Sequence, residues 1–383
     1  MRTQIFNVLP RKILMTVDPV GGVWTYAIEL ARALEPYGVE FAFASMGGRL
    51  SHEQYEQVVS RKNVRLFESA YRLEWADDPW KDVDRAGDWL LQVAARVRPD
   101  LIHLNNYCHA VLSWDAPVLL VGHSCVLSWW RAVKDADAPA RYDEYRTRVA
   151  AGLAASDMVV TPSSVMRDAL RLHYNANGDC VVIRNGRDAS LFPPAEKLPL
   201  IFSCGRIWDE AKNFRLLDRV APLIEWRIAV AGDNRHPDGE PVRLQDVCCL
   251  GKLSAREIGQ QFARAAIFVL PARYEPFGLS AVEAALSGCA LVLGDIPSLR
   301  EIWGDAAIFV SPDDANGLSR GLNDFIANPE LRETFARRAR ARALQFSPQR
   351  MALGYLEAYR ACMRGNAPSL PENVPAVAEE VAA

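Results

Sequence analysis

Thirteen short apolar runs, most of them separated by helical patterns, constrain the fold of this chain more than any other feature. Seven lie in the first half, among them KILMTVD at 12–18 and LIHLNN at 101–106, and six lie in the second, among them LIFSCGRI at 200–207. The runs are nearly continuously apolar rather than alternating, as expected for parallel strands covered by helices on both faces. The sequence therefore predicts an α/β protein with two doubly wound, Rossmann-like parallel sheets.

The segment PPAEKLP at 193–199 divides the chain, because its proline content is typical of a linker. We predict a first domain over 1–193, a second over 194–345 and a last amphipathic helix over 346–363. The remainder, 364–383, has little apolar surface to bury and is predicted to be a disordered tail. Two such domains facing each other would form a cleft at the carboxyl ends of their strands, where ligands of open parallel sheets bind.

The composition argues against several kinds of partner and site. A net charge of only −3 over 383 residues indicates no basic, phosphate-neutralising surface for nucleic acid. The eight cysteines form no Cys-x-x-Cys pair, which indicates free thiols in a reducing compartment and no metal site.

The pattern of apolar and basic residues bears on location. No segment reaches the length of a membrane span, and the first residues, MRTQIFNVLPRK, lack the apolar run of a signal peptide. We therefore expect a cytoplasmic protein. Peripheral contact with the inner face of the membrane stays open, although no cluster of lysines and arginines indicates it. The oligomeric state does not follow from the sequence.

The most informative segment is ARYEPFGLSAVEAALSGCALVLGD, which carries two carboxylates, Glu275 and Glu283. Pro276 favours an extended turn at Glu275, and a helix is predicted from about Phe277 to the C′ glycine Gly288. Glu275 therefore lies beside a helix N-terminus, which attracts anions. Glu283 lies in a helix that is apolar nearly all round, where a carboxylate needs donors such as ribose hydroxyls. In the alternative interpretation, Glu275 caps the helix and Glu283 pairs with an arginine.

Together with three other segments, EPFGLSAVEAALSG resembles the signature of retaining glycosyltransferases of the GT-B fold, particularly family 4. SCGRIWDEAKNF resembles the family's Gly-Arg stretch with its following lysine, VIRNGRDASLF its Asn-Gly-x-Asp hinge segment, and DPVGGVWTYAIELARAL its amino-terminal glycine loop. The likeness extends from about residue 12 to 363. It implies metal-independent transfer of a hexose-type sugar, with retention, from a nucleotide diphosphate sugar to an acceptor hydroxyl. The acceptor would be a glycan, a glycolipid or a polysaccharide precursor.

The resemblance also implies roles for the donor-binding residues. Arg206 and Lys212 would hold the two phosphates, although Arg206 could instead pair with Asp209 or Glu210. The backbone after Glu275 would assist them, together with two glycines that allow close approach after the first strand. These backbone positions are Phe277, Gly278, Leu279 and Ser280 in the second domain and Gly21 and Gly22 in the first.

Two side chains would act at the sugar itself. By resemblance, Glu275 would position the sugar through its hydroxyls rather than attack it. His123, which ends the run PVLLVGH, would contact the sugar near its reacting carbon. An acceptor pocket could be lined by polar and aromatic residues that follow strands, although a role in the core fits them equally well. These residues are Asn105, Asn106, His109, Trp129, Trp130 and Arg131.

Three other interpretations remain at this stage. Asp135-Ala136-Asp137 has the form of a metal-binding Asp-x-Asp motif, but its charged surroundings are typical of a solvated loop. A sugar-nucleotide epimerase shares the two-domain architecture and would need acid and base groups at the sugar C2. A non-catalytic nucleotide-sugar binder is the third, although the intact cations and carboxylates favour catalysis.

Overall fold

The computed structural model describes residues 9–176, 178–236 and 239–365. The predicted tail over 364–383 therefore lies outside the described residues, except for Arg364 and Gly365 at the end of the last helix. Within the described ranges, no helix is both long enough and apolar enough to cross a membrane.

Two parallel sheets organise the described residues. The first has the strand order β3-β2-β1-β4-β5-β6-β7, and its strands are Lys12–Val17 (β1), Glu40–Ser45 (β2), Val64–Glu68 (β3), Leu101–Leu104 (β4), Val118–Val121 (β5), Met158–Thr161 (β6) and Cys180–Val182 (β7). The second has the order β10-β9-β8-β11-β12-β13, and its strands are Leu198–Cys204 (β8), Arg227–Ala231 (β9), Cys248–Gly251 (β10), Ala265–Leu270 (β11), Ala290–Gly294 (β12) and Ile308–Val310 (β13). Each strand coincides with one of the predicted apolar runs, so the predicted fold class is confirmed.

Helices cover both faces of each sheet, which explains the continuous apolarity of the strands. Those following the strands of the first sheet are Gly22–Leu34 (α1), His52–Val59 (α2), Trp80–Val97 (α3), Val126–Lys134 (α4), Asp143–Ala155 (α5) and Ser164–Tyr174 (α6). Those of the second are Phe214–Val220 (α7), Ala255–Arg264 (α8), Leu279–Leu286 (α9), Pro297–Trp303 (α10), Ala315–Ala327 (α11) and Pro329–Ala343 (α12). The last helix, Pro348–Arg364 (α13), packs against α1 in the core of the first sheet.

The chain passes between the two sheets twice, and the two crossings touch. The first crossing lies between β7 and β8, and the second between α12 and α13. The Arg187 amide donates to the Phe346 carbonyl oxygen at 2.8 Å. A Cβ on Gly186 would lie 2.5 Å from the Ser347 carbonyl oxygen, so only glycine allows this approach. The two crossings are therefore joined where the sheets meet.

The segment 193–199, predicted as a linker, leads from the first sheet into the second and is anchored at its end. Leu198 already opens β8, and the Lys197 ammonium donates to the carbonyl oxygens of Phe262, Ala263 and Ser287 at 2.9, 3.0 and 2.6 Å. These carbonyls belong to the C-terminal ends of α8 and α9, where backbone acceptors lack helical partners. The prolines therefore precede a segment packed on the second sheet.

Helix α12 carries five arginines, contrary to the sequence-based statement that no basic cluster exists. Three of them have a structural use. Arg332, Arg340 and Arg342 donate to carbonyl oxygens in the last turns of α11, α9 and α10, at 2.5, 3.3 and 2.7 Å, respectively. Because the last carbonyls of a helix have no intrahelical partner and carry partial negative charge, these guanidinium groups stabilise three helix ends.

Candidate functional site

Two helix N-termini, one from each domain, meet between the sheets. Helix α1 begins after Gly21 and α9 begins after Gly278, and neither cap residue makes a side-chain hydrogen bond. A Cβ on Gly22 would lie 3.4 Å from the Leu279 side chain, so the first residues of the two helices face each other. Each N-terminus presents backbone amides and partial positive charge, which together favour an anion.

Helix α9 begins two residues later than predicted. Gly278 has φ of +89°, a left-handed conformation that a helix does not accept, so the helix starts at Leu279 rather than Phe277. Gly288 has φ of +84° and follows the helix, as predicted for a C′ glycine. The helix is also less buried than predicted, because Leu279, Ser280 and Glu283 remain half-buried on the face toward the first domain.

Arg206 lies beside this pair of N-termini. It follows β8 by two residues, and a Cβ on Gly21 would lie 2.6 Å from its Nη1 atom. Arg206 also pairs with Asp209 at 2.7 Å, which is the alternative left open by the sequence. The ion pair with Asp209 holds the guanidinium against the glycine loop of the first domain, so Arg206 is both paired and close to the two helix N-termini.

Asp209 links Arg206 to the first domain. The Trp129 indole N–H on α4 donates to Asp209 at 3.1 Å. Burial alone would raise the pKa of Asp209. The nearby Arg206 and Lys212 outweigh burial and hold that pKa below its usual range. Trp129, expected in an acceptor pocket, therefore contacts the carboxylate that orients Arg206, a connection between domains that spacing along the chain does not reveal.

Lys212 and Glu275 form a tight pair in the cleft. Their side chains are 14% and 13% exposed, and Lys212 Nζ lies 2.5 Å from Glu275 Oε2. Lys212 belongs to a single 3-10 turn, Glu210–Lys212, rather than to the start of α7. Glu275 also accepts from the Phe277 amide at 3.4 Å, as its predicted place beside a helix start requires.

Glu283 pairs with an arginine, as the alternative interpretation proposed. Arg187 Nε lies 2.8 Å from Glu283 Oε1. Burial raises the pKa of Glu283, and Arg187 opposes that effect. Arg187 occupies the variable position of the Asn-Gly-x-Asp segment, and no sequence pattern indicates that its side chain reaches the cleft.

His123 lies at the end of β5, held in one tautomer by Asn105. The Asn105 amide group donates to the Thr16 carbonyl oxygen at 2.7 Å, so its Oδ1 accepts the His123 Nε2–H at 2.8 Å. The Tyr26 ring packs against the imidazole with centroids 4.7 Å apart. Burial lowers the pKa of His123 to about 3, so the ring is neutral and its Nδ1 is an acceptor.

Asp18 lies beside Arg206 in the candidate site and is not among the residues predicted from the sequence. It follows β1 directly and accepts from the Val20 amide at 2.9 Å, which shapes the glycine loop. Burial raises its pKa to about 7, although Val20 and the nearby Arg206 oppose this. Asp18 follows a strand, and residues at the carboxyl ends of strands line the cleft. The same criterion identifies His123 and could have identified Asp18.

Some predicted residues lie away from the cleft. His109 does not line an acceptor pocket, because the 3-10 turn Cys108–Val111 turns it into the core, where it bonds to the Val83 carbonyl oxygen at 2.9 Å. Asn106 hydrogen-bonds to Thr16 and to His109. Trp130 packs edge-on against Trp129 and at a tilt against Tyr142, whereas Arg131 is exposed.

Two further features of the region are the Asp-x-Asp motif and a cavity in the second domain. Asp135 and Asp137 are exposed after α4, and the described residues contain no group of three or more His, Cys, Asp or Glu side chains that could hold a metal ion. A cavity of about 190 Å³ opens at the ends of β9 and β10; Ile207, Gly232 and Lys252 are among the residues that line it. It adjoins Arg206 through Ile207.

Two family models match consecutive parts of the chain. The model described as Glycosyltransferase Family 4 matches residues 20–191, and the model described as Glycosyl transferases group 1 matches residues 190–342. The glycogen synthase of Mycobacterium tuberculosis is 27% identical over 299 residues, covering 70% of each chain. The alpha-maltose-1-phosphate synthase of that organism is 28% identical over 296 residues, covering 66% of this chain and 74% of the relative.

Solved structures share the fold. The sucrose-phosphate synthase of Thermosynechococcus elongatus superposes with a TM-score of 0.77 at 18% identity, covering 93% of this chain and 100% of that one. HepE of Anabaena in complex with UDP-glucose superposes with a TM-score of 0.70 at 18% identity, covering 91% and 98%. From the two family models and this shared architecture, the chain belongs to the family 4 glycosyltransferases of the GT-B fold.

Proposed function

We propose that this glycosyltransferase moves a hexose-type sugar from a nucleoside diphosphate to an acceptor hydroxyl, with retention of anomeric configuration and without a metal ion. One observation carries the proposal. The N-termini of α1 and α9 face each other across the cleft, and Arg206 lies beside them while Lys212 pairs with Glu275, three residues before Gly278. This arrangement suits a diphosphate, which carries the charge that both helix ends and both cations attract.

The same arrangement favours bond cleavage. Negative charge grows on the diphosphate as the glycosidic bond breaks, so fixed cations stabilise the transition state more than the ground state. Arg206 is held by Asp209, and Lys212 by Glu275, before any donor arrives. Because these partners already orient the cations, little reorganisation is needed during the reaction, and the protein's own charges take the place of a metal ion.

The state of the nearby groups supports front-face transfer. Glu275 is paired with Lys212, which makes its carboxylate a weak nucleophile and suits it to positioning sugar hydroxyls. His123 is neutral with a pKa of about 3, so it is a poor base and instead accepts a hydrogen bond from a sugar hydroxyl through Nδ1. The departing phosphate oxygen then takes the proton of the acceptor hydroxyl as that hydroxyl attacks the same face.

The two domains divide the substrates in this proposal. The second domain, over 194–345, holds the donor, with its base in the cavity at the ends of β9 and β10 and its ribose hydroxyls at Glu283. The first domain, over 1–193, holds the acceptor, and the terminal helix over 346–363 crosses back to it. Glycogen synthase among the relatives and UDP-glucose in HepE support a hexose donor and a glycan acceptor.

The proposal is tested by incubating the purified protein with UDP-, GDP- and ADP-hexoses and a panel of glycan acceptors. We expect nucleoside diphosphate release that depends on acceptor, persists in EDTA and gives a product whose anomeric proton coupling matches that of the donor. Strict dependence on added divalent metal, or an inverted product, would contradict the mechanism. Epimerised nucleotide sugar formed without acceptor would instead identify an epimerase.

Variants test the cleft pair directly. We expect Lys212→Ala and Glu275→Ala to largely abolish transfer while the fold persists, because each leaves its partner without the charge that orients it. Lys134→Ala is the matched control, since it removes a different and more exposed Lys–Glu pair, in which Lys134 of the first domain lies 2.7 Å from Glu210 of the second. Equal losses in the control and the cleft variants would show that the effect is structural.

A further inference from the structure

Arg187 joins the donor site to the place where the chain crosses between domains. Its backbone amide is bonded to Phe346 of the second crossing, and Gly186 before it touches Ser347. Its side chain leaves this junction and enters the cleft, where it meets Glu283. One residue therefore contacts both the interdomain junction and the helix that presents Glu283.

The guanidinium of Arg187 lies between carboxylates of the two domains. Its Nε is 2.8 Å from Glu283 Oε1 on α9, and its Nη1 is 3.6 Å from Glu29 Oε1 on α1. The side chains of Arg187, Glu283 and Glu29 are 11%, 14% and 4% exposed. Glu29 also pairs with Arg32 at 3.1 Å and accepts from the Asp188 amide at 3.0 Å, so it is a fixed anchor.

The ion pair with Arg187 affects which hydrogen bonds the Glu283 carboxylate can accept. Burial raises the pKa of Glu283, and Arg187 is the cation that favours its ionised form; Glu29 and Cys204 are the other titratable groups nearby. An ionised carboxylate accepts hydrogen bonds on both oxygens, whereas a protonated one must donate on one of them. The ion pair keeps Oε1 beside Arg187, which leaves Oε2 of the half-buried carboxylate as the oxygen for a ligand.

We propose that Arg187 is a positioning residue for donor binding: from its contact with Glu29 it holds the Glu283 carboxylate in the orientation that receives the ribose hydroxyls. This inference rests on the proposed function, in which Glu283 receives the ribose. Lysine cannot replace it fully, because an ammonium lacks the planar fork that reaches two carboxylates at once. Donor recognition therefore depends on a residue that touches no substrate.

The test compares binding of a nucleoside diphosphate with binding of its 2′-deoxy analogue. The nucleotide is whichever of UDP, GDP and ADP binds the full-length protein most tightly in titration calorimetry. We expect wild type to prefer the ribonucleotide by about 10-fold or more, because a hydrogen bond to a charged group is lost with the hydroxyl. In Arg187→Met the preference should fall below about 3-fold, and Arg187→Lys should be intermediate.

Arg184→Met is the matched control. Arg184 lies in the same crossing and pairs with Glu301 of the second domain at 3.2 Å, but it touches no proposed donor residue. We expect it to keep the wild-type preference for ribose. The inference fails if folded Arg187→Met or Arg187→Lys discriminates as well as wild type, or if Arg184→Met loses discrimination to the same extent.

The design separates the inference from the proposed function. If wild type binds none of the three nucleoside diphosphates, the proposed function fails and the inference with it. If wild type binds and Glu283→Gln loses the ribose preference while both Arg187 variants keep it, only the inference fails. If Arg187→Met does not fold, as checked by circular dichroism, the Arg187→Lys result alone decides.

Discussion

Gly21 offers the most direct test of the proposed diphosphate site. It has φ of +88°, and a Cβ there would lie 2.6 Å from Arg206 Nη1, which is closer than a real contact allows. Gly21→Ala therefore strains the backbone and pushes Arg206 away from the two helix N-termini. The strain costs about 1–3 kcal/mol of folding stability. Loss of one charge-assisted hydrogen bond to phosphate costs about 1.5–3 kcal/mol of transition-state binding.

Those energies set the expected measurements for Gly21→Ala. The second cost corresponds to a fall in kcat/KM for the donor of roughly 10- to 150-fold. The assay is acceptor-dependent release of nucleoside diphosphate, with urea unfolding measured on the same preparation. The loss of kcat/KM is compared with the loss of unfolding free energy. A variant that is only unstable would lose unfolding free energy and keep the kcat/KM of its folded fraction.

Gly38 provides the control that separates strain from displacement. It has φ of +71°, and a Cβ there would meet nothing within 4 Å. Gly38→Ala should lose about 1–2 kcal/mol of stability for its left-handed backbone and keep the wild-type kcat/KM. Wild-type kcat/KM in Gly21→Ala, or an equal loss in Gly38→Ala, would refute the close approach of Arg206 to the glycine loop.

Three further predictions concern groups around the same cleft. Trp129→Phe removes the 3.1 Å bond to Asp209, and we expect kcat/KM for the donor to fall about 2- to 10-fold with little change in stability; an unchanged value would show that Trp129 does not orient Arg206. Asp18 has a pKa of about 7, and its ionised form competes with the donor for Arg206, so kcat/KM for the donor should fall as pH rises through 7 and Asp18→Asn should flatten that limb. His123 has a pKa of about 3, so His123→Asn should lower kcat/KM by roughly 2- to 10-fold, equally at every pH from 5 to 8; a loss confined to one side of pH 6.5 would contradict the neutral imidazole.

The sheets were predictable because buried parallel strands leave a strong local signal. Runs such as PVLLVGH are apolar at nearly every position, since helices cover both faces, and each run corresponds to a strand within a few residues. Boundaries were harder where one backbone angle decides them. Because Gly278 has a positive φ, α9 begins two residues later than predicted. A glycine in the sequence does not reveal the sign of its φ.

Side-chain partners were the least predictable feature. Arg187 and Glu283 are distant in sequence and meet only because the two crossings bring the hinge segment beside α9. Periodicity cannot reveal such a pair, since it reports on neighbours within one element. His109 was predicted to line the acceptor pocket because it follows a strand. That prediction is wrong, because a 3-10 turn directs its side chain into the core.

The arginines of α12 bear on how the protein can move. Arg340 ties the C-terminal end of α9 to α12, and Arg342 does the same for α10, so α9, the proposed diphosphate-binding helix, is fixed to its neighbour in the second domain. We therefore expect any opening motion that admits the donor to leave α9 in place and to move the glycine loop of the first domain. Amide hydrogens in the last turn of α9 should exchange slowly with or without nucleotide, whereas protection should change at the N-terminal end of α1.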